Sequence, residues 1–240
     1  WNHDLPITGL GWELFTPKGV EFYGKLNVLK AGLVFSDILT TVSDTYSREI
    51  QTAEYGHGLE GVLYERRADL YGILNGVDYE DWNPETDSLI AARYSREDLS
   101  GKKACRDDLL AEFGWSGSLD EPIIGVVGRL TAQKGFDLIE QIGDWLATQP
   151  VRVVILGTGE RKYEAAMNEL GRLHPDRFSL RFAFDNRLAH KIEAGADIYL
   201  MPSRYEPCGL NQIYSLRYGT VPVVRNTGGL ADTVADDDDD

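Results

Sequence analysis

Short apolar segments that alternate with amphipathic helical segments constrain the fold of this chain more than any other feature. From about Pro122 onward, the predicted strands are Ile123–Val127, Val151–Leu156, Ser179–Phe184, Ile198–Pro202 and Val221–Val224. The helical patterns between them are Asp137–Ala147, Arg161–Leu173, Ala189–Ala194 and Gln212–Tyr218. Apolar strands separated by helices are typical of a parallel sheet that is covered on both faces. The pattern predicts a doubly wound α/β domain, which binds ligands at the carboxyl ends of its strands.

The beginning of the chain has a different pattern, in which helical segments are longer and strands are rarer. The predicted elements are a helix over Lys25–Ser36, a strand over Ile38–Val42, helices over Thr45–Thr52 and Gly58–Leu70, and a strand over Gly72–Leu74. Turn residues at Asn75–Asp78 then interrupt the apolar pattern, before a helix around Lys103–Phe113. The sequence therefore predicts two domains, residues 1–77 and residues 78–240.

Charge and cysteine content exclude several classes of function. The formal net charge is −15, part of it from a solvated run at Asp236–Asp240. Negative potential repels nucleic-acid backbones and acidic lipids, so we expect neither a nucleic-acid nor a membrane partner. Cys105 and Cys208 form no CxxC pattern and the four histidines form no HExxH pattern, so no metal site is predicted. No segment is apolar for long enough to span a bilayer, and no signal peptide is visible.

Two of four glycine-bearing junctions that follow predicted strands carry groups suited to phosphate. The segment Gly128–Gly135, "GRLTAQKG", places Arg129 and Lys134 at the end of a strand. An arginine fork and a lysine ammonium both bind phosphate oxygens, although two solvated surface cations would give the same pattern. The segment Asn226–Leu230, "NTGGL", predicts a phosphate-sized nest of backbone amides or, alternatively, an ordinary turn.

The other two junctions differ in how much they indicate. Leu156–Glu160, "LGTGE", lets a backbone approach a ligand but also occurs in tight turns, and it is not the GxGxxG pattern of a dinucleotide cofactor. In Pro202–Gly219, "PSRYEPCGLNQIYSLRYG", Glu206 lies in a loop before a helix that Asn211 is predicted to cap. A carboxylate beside free amides suits the hydroxyls of a sugar, unless loop amides satisfy the carboxylate. All four junctions are predicted to lie on one edge of one sheet.

These segments, together with "IEAGAD", "ILNGVDYEDWNP" and "FYGKLNVLKAGLVFSDILTTVSDTYSREI", resemble the bacterial glycogen synthase and plant starch synthase family, glycosyltransferase family 5. The resemblance implies the GT-B fold, with two Rossmann-like doubly wound domains that face a cleft. Residues 1–77 would be the remnant of an incomplete acceptor-side domain, and residues 78–240 a truncated nucleotide-sugar domain. The implied activity is retaining transfer of glucose from ADP-glucose to the non-reducing-end 4-hydroxyl of an α-1,4-glucan, glycogen or starch, without metal or cofactor.

The resemblance also implies roles for individual residues. Arg129 and Lys134 would hold the diphosphate and stabilise its growing charge, and Glu206 would orient the donor glucose. The remaining substrate-binding residues would be Asn75, Phe184, Cys208, Gly209, Leu210, Thr227, Gly228 and Gly229. Among these, Phe184 would stack on adenine, although a core phenylalanine at a strand end is the alternative.

Some features of the family are replaced or absent here. A second glutamate that many GT-B enzymes carry is replaced by Tyr214, as is common in glycogen and starch synthases. The family's lysine-bearing glycine loop and its histidine near the donor glucose would precede Trp1, and His3 lacks that histidine's context. We therefore expect a fragment that is inactive by itself. A transferase that uses UDP-glucose or another acceptor, and a catalytically dead glucan-binding scaffold, are the alternative functions. The cell compartment would be the cytoplasm of a bacterium or the plastid of a plant or alga.

Overall fold

The computed structural model describes residues 2–115 and 120–236, so most of the Asp236–Asp240 run lies outside the described residues. The chain divides into two compact units, residues 1–75 and residues 76–240. The division falls at Asn75, inside the turn segment where the sequence predicts a domain boundary. Among the described residues, no helix has both the length and the apolar character needed to cross a membrane.

The first unit is built from short elements. They are β1 (Glu21–Phe22), β2 (Lys25–Leu26), α1 (Val28–Phe35), β3 (Leu39–Thr41), α2 (Asp44–Glu49), α3 (Glu60–Glu65) and β4 (Leu70–Gly72). Strands β1 and β2 pair antiparallel, whereas β3 and β4 pair parallel. Leu39, Leu59 and Leu63 form the centre of its small core.

Two of the helices predicted in this unit are shorter than expected. The helix predicted from Lys25 begins at Val28, because Lys25 is in the β1–β2 hairpin and the Asn27 side chain caps the helix by accepting from the amide of Lys30. The helix predicted over Gly58–Leu70 ends at Glu65. Immediately after it, the Arg66 guanidinium donates to the carbonyls of Leu33 and Ser36 at the end of α1.

The second unit is the predicted doubly wound α/β domain. Its elements are α4 (Ser100–Glu112), β5 (Ile123–Val127), α5 (Phe136–Thr148), β6 (Arg152–Leu156), α6 (Arg161–Leu173), β7 (Phe178–Arg181), α7 (Asn186–Gly195), β8 (Ile198–Met201), α8 (Asn211–Arg217), β9 (Val221–Val224) and α9 (Gly228–Thr233). All five strands are parallel, in the order β7-β6-β5-β8-β9. The order reverses at β5, so the crevice for a ligand is expected at the carboxyl ends of β5 and β8.

The two faces of this sheet explain why the strands are apolar throughout. Ile124 and Val153 point into a core with α5 and α6, while their neighbours Ile123 and Val154 point into a core with α4 and α7. Successive side chains of a strand face opposite sides, so burial of both faces removes the polar alternation. The period-2 signal that marks half-buried strands is therefore absent here.

Candidate nucleotide-sugar site

A cavity of about 410 Å³ lies at the carboxyl edge of the five-stranded sheet, where the order of the strands reverses. It is formed by the loops after β5, β6, β7 and β8, and by the start of α8. Its lining includes Trp82, Gly128, Arg129, Lys134, Phe184, Ser203 and Asn211. The whole cavity belongs to the second unit.

Arg129 and Lys134, the two predicted phosphate-binding cations, both line the cavity but differ in their surroundings. The Arg129 side chain is exposed, and its Nη2 donates one long hydrogen bond, 3.4 Å, to Gln133 Oε1. Lys134 is instead paired with Glu206, its Nζ lying 2.5 Å from Glu206 Oε2. The sequence analysis missed this pair, because the two residues are far apart along the chain. It brings the predicted phosphate clamp and the predicted sugar ligand together.

Glu206 is held firmly in its loop. The residue is only 6% exposed, and its Oε2 also accepts from Ser203 Oγ at 3.1 Å. The alternative suggested by the sequence, a carboxylate satisfied by loop amides, does not describe these contacts. A lysine ammonium and a hydroxyl hold Oε2 instead. Such an anion is oriented by its neighbours and compensated in charge.

The loop after Glu206 presents unpaired amides because its carbonyls are held from one side. Gln212 Nε2 donates to the carbonyls of Cys208, at 3.0 Å, and Gly209, at 3.2 Å. In a trans peptide the N–H points away from the C=O of the same plane, so the amides of Gly209 and Leu210 face the opposite side. In the described part of the chain, the amides of Cys208, Gly209 and Leu210 donate to no protein acceptor. The part that Gln212 plays in this loop could not be predicted from the sequence.

Glycine at position 209 is required for two reasons. Its φ is +71°, in the left-handed region that residues with a side chain rarely adopt. A Cβ added there would also lie 2.5 Å from Gln212 Oε1. The sequence therefore permits both the turn and the close approach of the Gln212 side chain.

The "NTGGL" junction does not provide the amide nest in full. The amide of Gly229 donates to the carbonyl of Glu206 at 3.0 Å, so it is already used inside the protein. A Cβ on Gly229 would lie 2.3 Å from the Cα of Cys208. Gly229 thus lets the start of α9 pack against the loop after β8. Thr227 and Gly228 precede it at the start of α9, both buried.

The "LGTGE" junction also serves contacts between loops. Gly157 and Gly159 lie where a Cβ would meet the carbonyls of Gly128, at 1.8 Å, and Leu130, at 2.3 Å. The amide of Gly159 donates to Glu164 Oε1. Both loops border the cavity, but these glycines are explained by the packing of the β5 and β6 loops on each other.

Phe184 is not part of the core. The strand predicted to run to Phe184 ends at Arg181, because the amide of Ala183 turns back to the Arg181 carbonyl. Phe184 is 100% exposed and lines the cavity. Its ring is therefore accessible to a planar ligand group at the edge of the cavity.

Asn211 does not cap α8, contrary to the sequence prediction. It is the first residue of the helix, and the preceding residue, Leu210, makes no side-chain cap bond. The Asn211 Nδ2 donates instead to the hydroxyl of Tyr199, at 2.6 Å. A partner in β8 therefore replaces the local capping contact that the sequence suggested.

Trp82, which the sequence analysis noted only as part of a polar stretch, forms another wall of the cavity. Its ring is stacked between those of His190, at 3.8 Å, and Tyr214, at 4.0 Å. His190 is buried and its Nδ1 lies 2.8 Å from Asp87 Oδ2. Burial alone would raise the pKa of Asp87, but hydrogen bonds from His190 and Tyr218 outweigh it and lower that pKa. Asp87 therefore stays ionised and fixes the stack.

The predicted glucose ligand Asn75 is exposed and lies in the first unit, shortly after β4 ends at Gly72.

Among the residues that the structure describes, no group of three or more His, Cys, Asp or Glu side chains is placed to hold a metal ion. Cys105 and Cys208 are both buried as free thiols.

Comparisons with known proteins cover both units. Residues 1–65 match the family model described as starch synthase catalytic domain, and residues 113–239 match the model described as glycosyl transferases group 1. The glycogen synthase of Koribacter versatilis (strain Ellin345) is 59% identical over 230 residues, 96% of this chain and 47% of that protein. The glycogen synthase of Anaeromyxobacter sp. (strain Fw109-5) is 53% identical over 99% of this chain and 50% of its own length. The chain thus spans about half the length of the curated relatives it matches.

Solved structures agree with the sequence matches. The catalytic domain of starch synthase IV from Arabidopsis thaliana, bound to ADP and acarbose, superposes with a TM-score of 0.90 at 35% identity, over 97% of this chain and 49% of that one. Anabaena HepE in complex with UDP and glucose has a TM-score of 0.57 at 16% identity, over 86% of this chain and 49% of that one, which shows the fold alone. The predicted GT-B type of α/β fold and the resemblance to glycogen and starch synthases are both confirmed.

Proposed function

Because the chain belongs to the glycosyl transferases group 1 family, we propose that the whole protein transfers glucose from ADP-glucose to the non-reducing-end 4-hydroxyl of an α-1,4-glucan, with retention. The second unit would bind the donor. Relatives named glycogen synthase, which are 59% and 53% identical over nearly the whole chain, support this reaction over others that use the same fold.

The observation that carries the proposal is the Lys134–Glu206 ion pair in the cavity. Lys134 and the exposed Arg129 supply positive charge where a diphosphate would lie. The unpaired amides of Cys208, Gly209 and Leu210 supply donors beside them. Glu206 supplies an acceptor for sugar hydroxyls, and Phe184 a platform for the base. Asn75, Thr227 and Gly228 remain proposed donor ligands.

The arrangement suits cleavage of a bond between a sugar and a phosphate. Negative charge grows on the departing diphosphate, and Arg129 and Lys134 are preorganised to stabilise it, which is the dominant contribution in such sites. Because Lys134 and Ser203 already hold Glu206 Oε2, this carboxylate is suited to orient glucose rather than to attack it. The leaving phosphate would take the proton from the incoming hydroxyl, which accounts for retention without a protein nucleophile.

Initial rates of glycogen elongation by the whole protein, with ADP-glucose and with UDP-glucose, test the assignment. We expect a clear preference for ADP-glucose. A preference for UDP-glucose would move the protein to a related transferase. Binding of ADP without any transfer from either donor would indicate the glucan-binding scaffold. Arg129, Lys134 and Glu206 argue against that scaffold, since a protein without turnover has no need to stabilise a leaving diphosphate.

A further inference from the structure

The Tyr199 hydroxyl connects the end of β5 to the start of α8 beneath the cavity. Tyr199 is fully buried in β8, and its hydroxyl donates to the carbonyl of Val127 at 3.0 Å. The same oxygen accepts from Asn211 Nδ2 at 2.6 Å. Val127 is the last residue of β5, immediately before Gly128 and Arg129, and Asn211 lines the cavity.

Only one assignment of donors and acceptors fits the hydrogen bonds among Val127, Tyr199 and Asn211. A backbone carbonyl can only accept, so the single hydroxyl proton of Tyr199 is committed to Val127. Burial raises the pKa of Tyr199 well above its usual value, so the proton is retained at neutral pH. The hydroxyl oxygen is then left as an acceptor, and the Asn211 carboxamide must turn its NH₂ group toward it. The carboxamide oxygen of Asn211 is directed away from Tyr199 as a result.

We propose that Tyr199 is a positioning residue for the donor site, which fixes Asn211 so that its carboxamide oxygen accepts a hydrogen bond from a hydroxyl of the nucleotide sugar. The inference rests on the proposed function, since it takes the cavity as the donor site. The diphosphate of ADP-glucose is esterified at both ends and carries no proton at neutral pH, and the adenine amino group is assigned with its base to the Phe184 platform. The partner is therefore a hydroxyl of the ribose or of the glucose. Without Tyr199, the carboxamide could rotate and present NH₂ or oxygen in either direction.

Calorimetric titration of the chain with ADP-glucose and with ADP tests this, using Tyr199→Phe, Asn211→Ala and the double variant. We expect Tyr199→Phe and Asn211→Ala each to weaken ADP-glucose binding about 3- to 10-fold, the usual effect of one buried hydrogen bond. The double variant should bind no more weakly than Asn211→Ala, because the two residues act as one unit. An equal loss with ADP would assign the hydroxyl to the ribose, and a loss confined to ADP-glucose would assign it to the glucose.

Tyr94→Phe is the matched control. Tyr94 is also buried, and its hydroxyl donates to the Tyr218 carbonyl at 2.8 Å, but it does not line the cavity. It should lower the melting temperature without changing the dissociation constant. Additive losses in the double variant, or a folded Tyr199→Phe protein with unchanged affinity, would overturn the inference and leave the proposed function intact. Failure of the unsubstituted chain to bind either nucleotide would instead reject the proposed donor site, and this inference with it.

Discussion

Two glycine-bearing segments of the second unit, the loop after β8 and the start of α9, use their backbone amides in opposite ways. In the loop after β8, Gln212 holds the carbonyls, and the amides of Cys208, Gly209 and Leu210 remain unpaired among the described residues. At the start of α9, the amide of Gly229 donates to the Glu206 carbonyl. A glycine in such a loop therefore indicates only that something approaches closely. The tertiary partners decide whether a ligand or another loop does so.

The largest expected effect concerns a group that faces the cavity, Arg129. In the whole protein, Arg129→Ala should lower kcat by about 10²–10³, or roughly 3–4 kcal/mol of barrier, because a preorganised donor to the growing charge is lost. The melting temperature should stay the same, since the side chain is exposed. Steady-state kinetics and a thermal melt on one preparation measure both. Lys162→Ala removes an equally exposed cation outside the cavity and should leave kcat unchanged. Near-normal kcat in Arg129→Ala would place the diphosphate elsewhere.

The next effect concerns Gly229, which packs the start of α9 against the loop after β8. Gly229→Ala places a Cβ 2.3 Å from the backbone of Cys208, and overpacking of this kind costs about 1–3 kcal/mol. Urea unfolding of the chain should show that loss of stability. Gly32→Ala is the control, because no atom lies within 4 Å of the added Cβ, and it should stabilise helix α1 slightly. A Gly229→Ala protein of normal stability with weakened ADP binding would show that Gly229 contacts the ligand after all.

Features that depend on the local sequence could be predicted, whereas contacts that depend on the packed fold could not. The strands β5, β6, β8 and β9 were predicted to within a residue at each end, because burial on both faces leaves an apolar run in the local sequence. The helices α5, α6 and α8 were predicted equally closely, because an amphipathic helix has its own local pattern. The residues of the cavity edge were predicted from strand ends, since topology alone brings these together. The resemblance to a known family supplied their proposed roles.

The contacts that complete the site could not be predicted in that way. The Lys134–Glu206 pair, the Gln212 contacts and the Tyr199–Asn211 bond all join residues whose neighbourhood depends on the packed fold. Asn211 illustrates the error. A polar residue at a helix start is usually a cap, but Asn211 is already the first residue of α8, and its Nδ2 donates to a tyrosine of β8. The β1–β2 hairpin was missed for a different reason. Each of its strands has only two residues, too few to leave a periodic pattern in the sequence.

A buried carboxyl group on α7, in contact with α8, predicts a pH-dependent effect on stability. Burial raises the pKa of Glu193 to about 8, with Ser215 Oγ donating to its Oε2 from α8. Between the unfolded pKa, near 4.5, and about 8, the folded state holds a proton that the unfolded state has released. Stability is therefore fully present below the unfolded pKa and is lost as pH rises through about 8, by at most about 1.4 kcal/mol per pH unit.

Urea unfolding at several pH values between 5.5 and 8.5, set roughly to bracket this window, measures the slope. Glu193→Gln keeps the shape and removes the titration, so the slope should become flatter in that variant than in the unsubstituted chain. Other carboxylates contribute to both proteins alike. Equal slopes would mean that Glu193 is ionised in the folded state, with its buried charge compensated by the Lys102 ammonium.

The smallest effect concerns Gln212, whose Nε2 holds the carbonyls of the loop after β8 and also donates to Thr233 Oγ1 in α9. Gln212→Met preserves volume and apolar packing but cannot donate to the carbonyls of Cys208 and Gly209. If those bonds turn the amides toward the donor, the variant should bind ADP about 3- to 10-fold more weakly, the net effect of roughly one hydrogen bond. Some stability will also be lost, since buried carbonyls lose their donor, so calorimetric titration must be made well below the melting temperature. Gln149→Met makes the same replacement at a half-buried site outside the cavity, where Nε2 donates to Thr148 Oγ1, and should leave affinity unchanged. A folded Gln212→Met protein with normal ADP affinity would show that the amides of Cys208, Gly209 and Leu210 do not bind the nucleotide. The loop after β8 and the start of α9 would then differ in packing but not in function.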